Sequence, residues 1–212
     1  MNSEPDNKPK AYGQKAKQTR QRILQAAAQE LAERGGELEI ASVATTAQVS
    51  SGLIYRYFSS RTDLIAAVVD DFYDQYDQWI IDINPLPGAD WLSRERARVE
   101  RSISFIRKHP LAKVVFLNRQ KEPLVAAVES RRLAAHLQLA IENVLLAQSR
   151  GEIDKNIGAY VACPMVMGGI RELMVQLLSN SPHLTSDSTQ LLDQTMAFIA
   201  RAMGLPNRKQ SS

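Results

Sequence analysis

Residues 39–64, EIASVATTAQVSSGLIYRYFSSRTDL, decide how this chain is read. They hold two short helical patterns separated by Gln48-Val49-Ser50. In the first, Ile40, Val43, Ala44 and Ala47 recur at i, i+3, i+4 and i+7, so they share one helix face. Ala44 is small and lets a partner helix approach closely. In the second, Ser50 or Ser51 offers a hydroxyl as an N-cap, and Ile54 and Phe58 face inward one turn apart. Between and around those apolar positions stand Tyr55, Arg56 and Tyr57. Two helices joined by so short a turn are a device for seating side chains in a DNA groove.

Helical patterns continue on both sides. A first helix runs from about Lys15, with Ile23, Leu24, Ala27, Ala28 and Leu31 on its apolar face, and stops at Gly35-Gly36. After Ser59-Ser60, Thr62 and Asp63 start a long helix that extends to about Ile81. Asn84-Pro85-Leu86-Pro87-Gly88 is a break. Further helices are expected over about 90–108, through Val114–Leu117, from Pro123 to about Arg150, over about 157–178 with a kink at Pro164, and over about 188–203. No sustained period-two run is present. The predicted fold is all-α: a disordered arm over 1–14, a three-helix helix-turn-helix domain over 15–62, a larger helical domain over 63–204 and a disordered tail over 205–212.

Composition agrees with a soluble helical protein. Hydrophobic residues make up 44% of the 212, and charged residues 23%, enough for a core and a solvated surface. There is no run of about 18 apolar residues and no signal-like apolar segment near the N-terminus. One cysteine, Cys163, excludes an intrachain disulfide and paired-cysteine metal sites; a cytoplasmic location fits best. The net charge of +3 is carried by residues 1–61, where nine Lys/Arg face six Asp/Glu. That asymmetry suits attraction to phosphate.

VATTAQVSSGLIYRYFSSRTDL, residues 43–64, resembles the TetR family of bacterial transcriptional regulators. The preceding TRQRILQAAAQELAERGG is similar to the family's first helix, and the likeness covers about residues 17–68. Three positions differ from the family pattern: Gln48 stands where glycine is common, Leu53 where threonine is common, and Glu39 where a Ser or Thr cap is common. The resemblance implies a dimer that binds double-stranded DNA at a palindromic operator and is released by a small-molecule effector. It implies that Ser50, Ser51, Gly52 and Leu53 lie nearest the bases, that Tyr55 reaches base or phosphate, and that Tyr57 and Arg61 reach phosphate. Arg56 is a phosphate or guanine contact. Thr45 and Thr46 are expected at the DNA backbone, and Lys15, Lys17 and Arg20 at flanking phosphates. Of these, Ser51, Leu53, Tyr55 and Arg56 are the expected sequence readers.

In the larger domain, the resemblance implies an effector cavity. The expected lining is Trp79, Phe105, Phe116, Met165 and Met167, with Tyr160 or His136 as a polar handle. The two last long helices are expected to form the homodimer interface through Gly168, Gly169, Leu173, Met174, Leu177, Met196 and Ile199. Asp70, Asp74 and Asp77 form an acidic helix stripe, read as a solvated face rather than a metal site. His109, His136 and His183 are too far apart in sequence to suggest one, and no cofactor is expected. There is no P-loop, GxSxG or HExxH motif, so the chain is not read as an enzyme. The competing class is a DNA-binding module that answers to a protein partner and holds no small effector.

Overall fold

The computed structural model describes residues 8–80, 88–118, 122–181, 184 and 187–205. Regular structure among them is entirely α-helical: α1 Lys8–Glu33, α2 Ile40–Thr46, α3 Ser51–Tyr57, α4 Arg61–Ile80, α5 Trp91–Lys108, α6 Ala112–Leu117, α7 Pro123–Ser149, α8 Ala159–Leu178 and α9 Ser188–Ala202. Most of the expected 84–88 break, His183 and the tail beyond Leu205 lie outside the described residues. The arm needs correction at its far end, because α1 begins at Lys8 rather than near Lys15. Pro9 falls in the first turn, where its missing N–H would have had no helical partner. Gly13 costs the helix only about 1 kcal/mol relative to alanine.

The helices end where local chemistry ends them. Gly36 is left-handed, with φ of 104°, and its N–H returns to the Leu31 carbonyl at 2.8 Å. Asp90 and Asp187 cap α5 and α9 by accepting from backbone N–H groups of the first turn. Pro123 opens α7 at a position that favours its fixed φ.

The small head of α1, α2 and α3 is joined to the body through α4. Leu64 and Val68 of α4 belong to the same buried cluster as Ile23, Ala27 and Leu31 of α1. Further along, α4 packs along α7, and α7 packs on α8. The acidic stripe on α4 is explained by α7. Arg132 bonds Asp70 at 2.7 Å, reaches Asp77 at 3.4 Å and pairs with Asp74; Arg131 also holds Asp70, and His136 meets Asp77 at 2.6 Å. Those carboxylates face cations, and no cluster suited to a metal is found among the described residues.

α8 is by length and composition apolar enough to cross a membrane, yet only 22% of that stretch is buried. It is not a uniform apolar rod. Arg171 on it donates to Glu129 of α7 at 2.9 Å, and Glu172 follows immediately. The helix continues through Pro164, whose ring removes one backbone donor.

Candidate DNA interface and ligand cavity

The head is locked before it presents anything. Val43 and Ala44 of α2 and Ala47 just after it share one buried cluster with Ile54 and Phe58, which flank the outward face of α3. Gln48 takes the left-handed conformation, with φ of 54°. Its N–H bonds the Thr45 carbonyl at 3.1 Å, and the Val49 N–H bonds the Ala44 carbonyl at 2.9 Å. This is the double bond pattern that glycine usually closes at a helix C-terminus. A side chain held there costs about 1 kcal/mol or slightly more. Gln48→Gly is therefore expected to stabilise the head by about 0.5–1 kcal/mol, part of the relief being offset by glycine's greater freedom in the unfolded chain. A thermal melt that moves upward checks it, and a downward shift counts against strain at this turn.

Ser50 caps α3, its Oγ accepting from the Leu53 N–H at 3.1 Å. Glu39 precedes α2 but makes no side-chain cap. Its carboxylate pairs instead with Arg34 at 3.0 Å, and that guanidinium holds the Glu39 carboxyl below the usual carboxylate range. Glu30 fixes α1 to α2: it accepts from the Ser42 hydroxyl at 2.6 Å and from Arg34 at 2.9 Å, and these donors depress its pKa. The departure at Glu39 is thus neutralised from within the head.

The outward surface holds Thr45, Thr46, Ser50, Ser51, Gly52, Tyr55 and Arg56, all exposed; Tyr55 is 52% exposed. Ser51 with Tyr55, and Gly52 with Arg56, are one turn apart, so four of these residues share the free face of α3. Leu53 and Tyr57 form the next row and are half-buried, with Tyr57 leaning on the core. Lys15 and Lys17 are exposed on α1, a few turns before the head core.

Three anticipated phosphate contacts have other engagements. Arg61 donates from Nε to the Leu38 carbonyl at 2.9 Å and from Nη1 to Glu122 at 2.9 Å, with Glu37 at 3.7 Å. Thr62 bonds the same Glu122 carboxylate. Arg61 therefore ties the head to the start of α7. The Thr45 hydroxyl donates back to the Ala41 carbonyl at 3.0 Å. Arg20 lies over the Phe58 ring at 5.3 Å.

Residues 23–68 match the family model described as bacterial regulatory proteins, tetR family. The match places a TetR-type DNA-binding domain over residues 23–68. No curated protein matches the chain in sequence. Solved structures share the TetR-like fold. A FadR regulator from Bacillus subtilis, in complex with stearoyl-CoA, is 20% identical, with 86% of this chain and 98% of that one aligned at a TM-score of 0.69. GusR of Salmonella enterica is also 20% identical, over 88% and 95% of the two chains, at 0.69. RolR in complex with resorcinol is 20% identical over 94% and 98%, at 0.61.

In the body, two adjoining cavities of about 310 and 200 Å³ open between α4, α5, α7, α8 and α9. They share Glu95, Arg98, His136, Ala140, Met167 and Ile170. Of the residues anticipated as lining, Phe116, His136 and Met167 are there. The others are corrected. Trp79 is on the surface with Arg101 stacked on it at 5.0 Å. Phe105 packs behind the wall, 5.4 Å from Phe72 and 5.5 Å from Tyr76. Tyr160 and Met165 are 71% and 69% exposed.

The expected interface needs the converse correction. Met174, Met196 and Ile199 are buried inside the subunit, and Met174 and Ile199 line the cavities. Gly168 and Gly169 are exposed, and a Cβ at either would meet nothing within 4 Å. Leu173 and Leu177 are half-buried. Helical phase explains the exchange. Cys163, Val166, Met167, Ile170 and Met174 fall on one side of α8; Val161, Met165, Gly168 and Gly169 fall on the other. Trp91, Glu95 and Cys163 are lining residues that composition alone did not single out. Trp91 and Glu95 lie at i, i+4 on α5, a spacing that was readable.

Proposed function

We propose that the chain is a repressor that binds a palindromic operator as a homodimer in the bacterial cytoplasm and is released when a small molecule fills the body cavity. The observation that carries the reading is the free face of α3. Ser51, Gly52, Tyr55 and Arg56 are exposed and converge on one side, while Ile54 and Phe58 fix that helix from behind. Such a face reads a major groove, and Lys15 and Lys17 add sequence-independent attraction. One head covers too little DNA for selectivity; two heads on a two-fold axis match two half-sites.

The second copy has a surface to meet. Tyr160, Val161 and Met165 of α8 and Phe198 of α9 are exposed apolar side chains. With Gly168 and Gly169 open beside them, a partner helix can approach closely. An exposed apolar face on an otherwise soluble helix is a burial surface awaiting a partner. The ligands carried by the similar structures, stearoyl-CoA in one and resorcinol in another, support the reading of the cavity as an effector site. Arg61 and Glu122 supply a physical link, since movement of α7 pulls directly on the first residue of α4 and on the loop before α2.

The test is fluorescence anisotropy on DNA selected from a random pool. Tyr55→Ala and Arg56→Ala are each expected to weaken binding at least tenfold with unchanged thermal melts. Arg56→Ala is also expected to lower the salt slope by about 0.9 if it neutralises one phosphate. Parent-like affinity in both variants at the same salt would remove α3 from the interface.

A further inference from the structure

We infer that the cavity selects a small, uncharged, mostly apolar phenol or alcohol, whose hydroxyl donates to Nδ1 of His136. The inference rests on the reading of this cavity as a ligand site and deepens it. His136 lines both cavities, so it stands where they adjoin. Its ring is held in place from within the protein. Nε2 meets the Asp77 carboxylate at 2.6 Å, and the rings of Tyr73 and Tyr76 lie with their centres 5.9 and 5.7 Å away. An ionised carboxylate only accepts, so the proton of that bond sits on Nε2, and Nδ1 of the neutral imidazole is left as an acceptor. Nothing among the described residues bonds Nδ1, yet it is not one of their fully buried unpartnered atoms, so it keeps open surface. The side chain is only 11% exposed, and the space that opens on it is the pair of cavities.

The other polar groups of the wall are committed to one another. Arg98 pairs with Glu95, which also accepts from Asn143 at 2.8 Å. Arg171 pairs with Glu129 at 2.9 Å, and the Tyr76 and Ser102 hydroxyls share a bond of 2.8 Å. Burial pushes the Glu95 carboxyl up against the pull of Arg98, so this space already resists one negative charge. A ligand carboxylate would bring a second beside it. A ligand ammonium would find Glu95 and Glu129 already paired. The rest of the wall is apolar, with Val99, Phe116 and Met174 in the smaller cavity and Leu139, Val166 and Ile199 in the larger. That surface favours a ring or short hydrocarbon body, and a hydroxyl is the neutral group that answers a lone imidazole acceptor. Cavities of about 310 and 200 Å³ suit a molecule of one or two rings.

Three probes of similar shape separate the alternatives by calorimetry at about pH 8, where an ordinary imidazole is neutral: 2-naphthol, 2-methoxynaphthalene and 2-naphthoate. Naphthol can donate, its methyl ether cannot, and naphthoate carries a charge. Naphthol is expected to bind about fivefold to tenfold more tightly than the ether, and naphthoate to bind most weakly. In a His136→Phe protein naphthol's advantage should vanish while the ether keeps its affinity. Nitrogen NMR of the histidine-labelled parent gives a second readout. Of the three histidines, His136 should answer naphthol with a shift at Nδ1, and the ether should leave that nitrogen in place. An ether that binds the parent as tightly as naphthol overturns the inference, as does an advantage for naphthol that survives His136→Phe. So does naphthoate binding as well as naphthol, or naphthol that fails to bind up to its solubility limit. The parent ranking and the NMR shift stand even if His136→Phe folds poorly. Anisotropy on operator DNA separates the two readings: naphthol that binds as described yet leaves DNA bound upholds the cavity chemistry and sinks effector release.

Discussion

Truncating Phe72 to alanine is expected to lower the stability of the chain by about 4 kcal/mol. Phe72 is fully buried and belongs to the largest buried side chains of the core. Its ring meets four others edge-on, with centres at 4.8 Å for His109, 5.4 Å for Tyr73 and Phe105, and 6.5 Å for Phe116. Those rings come from α4, α5, α6 and the turn after α5, so no single neighbour can move to refill the space. Burial of a whole aromatic side chain and the added edge contacts both vanish. Folded domains are stable by only about 5–15 kcal/mol, so the loss is a large share of the total. Urea unfolding followed by circular dichroism should show a lower midpoint at an unchanged slope. Phe72→Leu, which keeps most of the volume, should cost less than half as much. A Phe72→Ala cost below 1 kcal/mol would show that the knot is free to collapse.

The helical skeleton was legible because its signals were local. Gly35-Gly36, Asp90, Pro123 and Gly151 each stop or start a helix through their own backbone or side-chain chemistry, and the observed ends lie within a few residues of those marks, as does the start of α9 at Ser188. The start of α1 was not legible, since Pro9 and Gly13 read as breakers and a proline in a first turn is tolerated. The head was legible for a further reason. Its three helices pack through contacts close in sequence, so the apolar spacing alone separates Ile54 and Phe58 from Tyr55 and Arg56.

The body was legible as helices but not as faces. VACPMVMGGIRELMVQLL is apolar almost all round, so composition could not say which side meets the subunit's own core. Only the positions of α5, α7 and α9 assign Met167 and Met174 inward and Met165 outward. The partners of Arg61 were not legible for a related reason. A cation at a helix start beside a DNA-binding helix suits phosphate, but its partners Glu122 and Leu38 come from distant sequence, and no local pattern announces them. Those ties make Arg61 a link between head and body. Their loss would loosen the head's placement on the body.

Glu129→Ala is expected to cost about 3 kcal/mol, the second-largest effect. Glu129 is nearly buried, accepting from Arg171 at 2.9 Å and from the Tyr73 hydroxyl at 3.2 Å. Burial, with the Glu129 carboxylate nearby, holds the Tyr73 phenol above its ordinary range, so it stays a neutral donor. Removing the carboxylate leaves a guanidinium beside an apolar cavity and a buried hydroxyl without its acceptor, and a broken buried pair costs far more than the pair was worth. Arg171 keeps about a third of its side-chain exposure, which places the cost at the low end for such pairs. Glu129→Met combined with Arg171→Met should recover to within about 1 kcal/mol of the parent, because the uncompensated charge goes with its partner. Adding Tyr73→Phe removes the last unmatched polar group and should recover more. The three melts together separate charge from packing. If the single and double variants are equally unstable, α4, α7 and α8 are held there by the fit of these side chains, and the ion pair contributes little to how the cavity wall is built.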